Sequence, residues 1–263
     1  MLFLVVMYSV MVLVNGYGYK MHTYLGKLTD NYLMKYEREL YDKVVSMLGG
    51  VAISEVSSWA DKVKRKVKYS WTKELHFIDI FECSIDRYDK TIVDKYCHNN
   101  CIISALQDFA NSIKYNTGYD YVLSNNSTLT NVELLKFIIH FVQDFSQPMH
   151  LLGYERGGNG FRVNMYMNGR NRTSNLHYIW DSMLPEYFVN NYMYKITNRT
   201  FTKPDNYYTI LENVLNDNMQ IACKIYPESH YIIFDEYFDR SNFMTLFDNY
   251  QYVMTTTLKY IFT

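Results

Sequence analysis

The chain has 263 residues, 26 Lys+Arg against 27 Asp+Glu, and a formal net charge of −1. Hydrophobic residues make up 48% and charged residues 20%, which excludes a disordered or fibrous chain. Near-neutrality argues against gripping a long duplex by phosphate neutralisation alone, so any nucleic-acid chemistry here must draw its positive field from another cation.

Residues 1–16, MLFLVVMYSVMVLVNG, are uncharged, mostly apolar and end on Val14 to Gly16. They read as a cleavable signal peptide, too short for a comfortable membrane span; a retained anchor helix is the alternative. Cleavage after Gly16 makes Tyr17 the mature N-terminus and predicts one domain over residues 17–263 in a secreted or lumenal protein. No later stretch reaches about 18 consecutive apolar residues, so no second span is expected.

Four prolines and no repeat or linker leave long segments with helical periodicity. Ile53, Val56, Ala60 and Val63 mark one helix face, and Ile102, Ile103, Leu106, Phe109, Ala110 and Ile113 a second. Ile210, Leu211, Val214, Leu215 and Ile221 mark a third, and the last 25 residues also read as helix. Hairpin signals flanked by alternation are scarce. The expected fold class is all-α, in a single mainly helical domain.

Four cysteines, Cys83, Cys97, Cys101 and Cys223, suggest two disulfides in an exported chain. Three pairings are possible; a small Cys97–Cys101 loop with a long Cys83–Cys223 clasp is the simplest. A zinc site from Cys97, His98 and Cys101 competes with it, although no second ligand pair is spaced to complete that site. Sequons at Asn125, Asn126, Asn171 and Asn198 fit a glycosylated exterior.

The helix opening at Thr130 carries the chemistry. Thr130 and Glu133 have capping-box spacing, an apolar run follows, and Pro148 limits the far end. Within it His140 and Asp144 lie four apart on one face. A carboxylate buried on an apolar helix needs compensation, and a metal ion is the most economical kind. His177 and Asp181 repeat the spacing, His150 follows Asp144 by six residues, and Asp61 in SWADKVK and His76 in LHFID are further candidates. Imidazole and carboxylate without thiolate favour catalytic over structural zinc.

The motifs YGYKMH, WAD (Trp59–Asp61), HFID (His76–Asp79), HFVQDFSQPMH (His140–His150), RGGN (Arg156–Asn159) and HYIWD (His177–Asp181) occur in that order. With them the chain resembles the S1/P1 nucleases, secreted three-zinc enzymes specific for single strands, of the phospholipase C/nuclease fold type. The resemblance implies a first zinc on Asp61, His76, His140 and Asp144, and a second on His150, His177 and Asp181. A third would lie on His22, bridging Asp144 and the free amine and carbonyl oxygen of Tyr17. Where the family normally has Trp, this chain has Tyr17.

The same resemblance implies hydrolysis of single-stranded DNA and RNA to 5′-phosphate products, with 3′-nucleotidase activity and no stable protein partner. Asp61 would bind metal and orient the attacking water, and Lys64 would offset transition-state charge where the family often has Arg. Phe77 would stack a base, Asp79 would accept from a base edge, and Asn159 would help position substrate. The family's clasp and small loop agree with the simplest cysteine pairing. Two rival readings are a zinc phospholipase C and a zinc-stabilised secreted binding protein without activity.

Overall fold

The computed structural model describes residues 18–83, 87–117, 128–167, 169–192, 206–226, 231–233 and 240–263, with residues 192, 231–233 and 240 described in backbone only. The first helices in chain order are α1 (Tyr19–Tyr36), α2 (Arg38–Met47), α3 (Ile53–Val56) and α4 (Trp59–Val63). A 3-10 segment, Val67–His76, leads to α5 (Lys90–Cys97), α6 (Ile102–Tyr115) and α7 (Asn131–Phe145). Beyond the 3-10 turn Pro148–His150 come β1 (Arg162–Met167) and β2 (Arg170–Asn175). Then α8 (Leu176–Tyr178) passes through a π turn, Ile179–Met183, into α9 (Leu184–Tyr192). Helix α10 (Tyr207–Ile225), β3 (Tyr231–Ile233) and α11 (Arg240–Phe262) complete the described elements.

Helix α7 is the axis. The expected capping box starts it: Thr130 Oγ1 accepts from the Glu133 N–H at 3.2 Å, and Glu133 Oε2 accepts from the Thr130 N–H at 2.7 Å. From Leu134 to Phe145 every residue except Lys136 is buried, because α1, α3, α4, α6, α11 and the 3-10 segment pack around it. Phe137, Phe141 and Phe109 form the aromatic seam between α6 and α7. Truncating a phenylalanine in such a seam costs about 3–5 kcal/mol.

The expected apolar faces of α6 and α10 are buried throughout. The face expected over Ile53–Val63 is divided. Ile53 and Val56 belong to α3, Ala60 and Val63 to α4, and Ser58 between them leaves helical geometry at φ −100°, ψ 11°. Asp30 of α1 caps α3 from outside, accepting from the Ile53 and Ser54 N–H groups at 2.9 and 3.1 Å.

A small sheet, order β2-β1-β3, adds to the helical expectation: β1 and β2 form an antiparallel hairpin, and β3 runs parallel to β1. The sequence carries Asn-Gly at 168 and 169, a strong hairpin signal in itself, and Gly169 has φ +74°. The strand that follows, RNRTSN, buries no residue and carries no apolar alternation, so the strand itself has no sequence pattern.

Both expected disulfides form. Cys83–Cys223 clasps the segment after His76 to α10, and Cys97–Cys101 joins α5 to α6. With both thiols engaged, the competing Cys97–His98–Cys101 zinc site is excluded. Among the described residues no helix is long and apolar enough to cross a membrane.

Candidate metal centre

Seven elements deliver eight side chains to one buried region. His22 sits on the first turn of α1, Asp61 on α4 and His76 at the end of the 3-10 segment. His140 and Asp144 lie on one face of α7, and His150 ends the turn that Pro148 starts. His177 lies on α8, and Asp181 in the π turn that follows. All are buried except Asp61, which is half-buried. Tyr17 lies outside the described residues.

Asp144 occupies the middle. Its Oδ2 is 2.7 Å from His76 Nδ1 and 3.0 Å from His140 Nε2, while its Oδ1 is 3.5 Å from His22 Nε2. Asp61 divides its oxygens in the same way: Oδ1 lies 3.5 Å from His140 Nε2 and 3.8 Å from His76 Nδ1, and Oδ2 lies 3.7 Å from His22 Nε2. These five residues therefore form two overlapping groups with both carboxylates between them. A third group stands beside these. His177 Nε2 is 2.9 Å from Asp181 Oδ2, and His150 Nε2 is 3.8 Å from Asp181 Oδ1. Three His/Asp sets able to hold a metal ion result: His22, His140 and Asp144; Asp61, His76 and His140; and His150, His177 and Asp181.

Backbone carbonyls set the imidazole tautomers. His140 Nδ1 donates to Ser57 O, His150 Nδ1 to His76 O and His177 Nδ1 to Gly157 O, each at 2.7 Å. His22 Nδ1 bonds Gln143 Oε1 at 2.5 Å. In each case Nδ1 is engaged as the donor and Nε2 is turned to the centre, the usual outer-shell device of a metal site. The break between α3 and α4 is what frees the Ser57 carbonyl. Gln147 plays the matching part for Asp181, donating from Nε2 to Oδ1.

The electrostatics favour a cation. Burial alone would raise Asp61 and Asp144, but His140 and the other cationic neighbours hold both well below the usual carboxylate range. Burial alone would lower His140, yet Asp144 and Asp61 push it up to about 10. His22 is held down to about 4 by burial and His140, and His76 to about 3 by burial and Lys64. Two ionised carboxylates thus demand positive charge, while burial holds His22, His76 and His150 toward the neutral form that coordinates metal and Asp181 raises His177. The donor chemistry meets the same test. Asp144 Oδ1, His76 Nε2 and His150 Nε2 are buried with no hydrogen-bond partner among the described residues. Unpaired buried lone pairs are costly and suit a metal ion.

The remaining expected residues lie on the rim. Lys64 Nζ is 2.6 Å from Asp61 Oδ1. After His76 the chain runs extended beside residues 150–152, with Ile78 N–H donating to His150 O and Ile80 N–H to Leu151 O. Ile78 and Ile80 point inward, which leaves Phe77 half-buried and Asp79 exposed on the outer face. Asn159 is half-buried, and its Nδ2 donates to Arg156 O at 2.8 Å. Sequence reasoning missed Ser57, Gln143 and Gln147. The two glutamines did carry a signal, since amide side chains in and just beyond an apolar helix must find buried partners.

The S1/P1 Nuclease family profile matches residues 17–257. This chain belongs to the S1/P1 nuclease family. It is similar to Endonuclease 4 of Arabidopsis thaliana, 29% identical over 195 residues that cover 70% of this chain and 61% of that protein. Nuclease S1 of Aspergillus oryzae is 33% identical over 140 residues, covering 51% of this chain and 42% of that protein. Nuclease P1 of Penicillium citrinum is 29% identical over 143 residues, covering 52% and 46%. The chain thus spans about half the length of the relatives it matches. In this S1/P1 family member the three metal-competent sets share a single buried region.

Proposed function

We propose that this chain is a secreted, zinc-dependent endonuclease. It would cut the phosphodiester bonds of single-stranded DNA and RNA to leave 5′-phosphates, and remove phosphate from 3′-nucleotides. The observation that carries the reading is Asp144, which turns one oxygen to His76 and His140 and the other to His22. A carboxylate shared in this way suits two adjacent cations.

Asp61, His76, His140 and Asp144 would hold one zinc, and His150, His177 and Asp181 a second. His22, Asp144 and the amine and carbonyl oxygen of Tyr17 would hold the third. When bound, zinc supplies Lewis acidity, lowering the pKa of water toward about 7 and neutralising phosphate charge. The amine of residue 17 requires cleavage after Gly16. The start of the family match at residue 17 supports that cleavage, as does the fixing of Gly18, whose N–H donates to Asp181 O at 3.2 Å. Two disulfides and the apolar leader support export.

Water oxygen attacks phosphorus, the bond from phosphorus to the 3′-oxygen breaks, and the 3′-hydroxyl leaves with a proton. Asp61, facing both His22 and His140, orients the attacking water. The Lys64 ammonium beside Asp61 offsets charge on the phosphoryl oxygens. Phe77 stacks an unpaired base and Asp79 accepts from its edge, so a paired base is excluded. Asn159 acts through the turn it fastens at Arg156. The six charges of three zinc ions would draw phosphate without a basic surface overall.

The test is metal analysis of the processed protein together with turnover of single-stranded DNA, RNA, 3′-AMP and phosphatidylcholine. Zinc with nucleotide release supports the reading. Phosphocholine release alone makes the protein a phospholipase, and zinc without turnover makes it a binding protein.

A further inference from the structure

Helix α11 supplies none of the eight ligand side chains. Two of its buried aromatics, Phe243 and Phe247, carry no polar atom, whereas a third, Tyr250, buries a hydroxyl. Phenylalanine would fill the same space, and a buried hydroxyl is costly unless bonded, so this one answers to its partners. It donates to Leu25 O of α1 at 2.9 Å and lies 2.6 Å from Thr29 Oγ1, which itself reaches Leu25 O at 3.3 Å. Either Thr29 donates to Tyr250 and Tyr250 to Leu25 O, or Tyr250 donates to Thr29 and Thr29 to Leu25 O. In both arrangements the single Tyr250 proton is committed to α1. The Gln143 amide also bonds this hydroxyl, and can meet it only as the donor. Ser57 stands in the same position: its Oγ donates to Ile53 O at 2.9 Å and so accepts from Gln143 Nε2 at 3.1 Å. Both Nε2 hydrogens are thus drawn to hydroxyl oxygens, which leaves Oε1 for His22 Nδ1 at 2.5 Å.

We propose that Tyr250 is a positioning residue for the metal centre: by accepting from Gln143 it holds the amide oxygen toward His22, and so selects the imidazole tautomer that turns a bare Nε2 to Asp61 and Asp144. The inference rests on the zinc reading of the site and adds a residue that touches no ligand of its own. With the amide reversed, its N–H would meet Nδ1, which must then accept. The ring proton moves to Nε2, where it blocks coordination. The influence of Tyr250 is confined to the shared Asp61–Asp144 region, because His150 and His177 take their orientation from backbone carbonyls, His76 O and Gly157 O.

The experiment is competitive zinc-chelator titration with metal counting on the processed wild type, Tyr250→Phe, Tyr207→Phe, Gln143→Leu and the Q143L/Y250F double variant. Tyr207 is the matched control: it is buried on α10 and its hydroxyl donates to Leu106 O of α6 at 3.2 Å, and neither helix carries a ligand. Tyr250→Phe weakens one zinc of the shared region about tenfold, the scale of outer-shell changes, and leaves the His150–His177–Asp181 group as it was. Tyr207→Phe alters neither. In the Gln143→Leu background Tyr250→Phe adds nothing, because the amide through which it acts is gone. Wild-type affinity in Tyr250→Phe, an equal loss in Tyr207→Phe, loss at every group, or additive losses in the double variant overturns the proposal. A wild type that binds no zinc sinks the zinc reading instead. Tyr250 is then judged by ring-nitrogen NMR of the histidines in the metal-free protein. A change of His22 tautomer in Tyr250→Phe and not in Tyr207→Phe supports the positioning role, and an unchanged His22 signal overturns it.

Discussion

Gln143 Oε1 accepts the His22 Nδ1 proton at 2.5 Å, and Gln143 Nε2 donates to Ser57 Oγ at 3.1 Å. One amide thus fixes the orientation of the α1 histidine from α7 and ties both helices to the α3–α4 corner. Gln143→Leu keeps the volume and removes both bonds. It is expected to weaken one metal at the shared Asp61–Asp144 region by about 10–100-fold, as outer-shell changes do, leaving the His150–His177–Asp181 group loaded. Competitive chelator titration with metal counting reads this directly. Equal loss from all sites, or none, contradicts the positioning role.

Asp144 and Asp181 make a paired test of sharing. Asp144 faces His76, His140 and His22, whereas Asp181 lies beside His177 and His150. Asp144→Asn should shed more than one metal and abolish turnover; Asp181→Asn should shed one and retain the others. Native mass spectrometry of the two variants separates these outcomes. Loss of a single ion from Asp144→Asn would remove the bridging assignment.

The parts of this centre that were legible in the sequence lie on regular helix. His140 and Asp144 share a face because 3.6 residues make a turn, and the apolar residues around them announced burial. The carbonyl partners were not legible. Ser57, His76 and Gly157 contribute a backbone atom whatever their side chains, so residue type carries no trace of the contact. Only a break after α3, or the departure from right-handed geometry at residues 155–158, exposes those carbonyls. The small sheet stayed hidden for another reason: β2 buries neither face, so the patterning that identifies strands is missing.

The turn after Tyr154 shows how such a carbonyl is aimed. Glu155, Arg156, Gly157 and Gly158 have φ of 49°, 57°, 63° and 78°, a left-handed turn in which non-glycine residues are strained. It presents Gly157 O to His177 Nδ1, and a Cβ at Gly157 would lie 2.5 Å from Met149 O. Gly157→Ala is expected to cost about 1–3 kcal/mol and to loosen His177, lowering zinc affinity at that group alone. Thermal unfolding with and without chelator checks both parts; a wild-type response to zinc would show that the turn does not position His177.

Glu133 sets a stability window in acid. Burial would raise its carboxyl, but Lys68, the Thr130 N–H, Tyr69 and the Thr130 hydroxyl hold it down to about 2, against an ordinary 4.5. A folded-state value below the unfolded one adds stability above the unfolded value, and that stability is lost as pH falls from about 4.5 toward 2. Glu133→Gln should therefore be less stable than wild type at neutral pH, and the gap should close on acidification. Denaturant midpoints at neutral pH and near pH 3 test the sign. A constant gap would mean that the side chain acts through packing or neutral hydrogen bonds.

The proposed cleavage after Gly16 gives a geometric prediction. Gly18 N–H donates to Asp181 O, and His22 N–H donates to Gly18 O at 3.2 Å, so the first turn of α1 is fixed at both ends beside the centre. Residue 17 has one peptide bond of reach from a fixed point, and its α-amine becomes a donor only when nothing precedes it. One extra residue converts that amine to an amide, which has no lone pair available for a metal ion. Protein beginning one residue early should bind one metal fewer and lose most of its turnover, while Gly18 and the His150 group keep their geometry. Trimming the extra residue with an aminopeptidase should restore both metal and rate. Equal metal content in extended and trimmed protein would place the third cation, if there is one, on side chains alone.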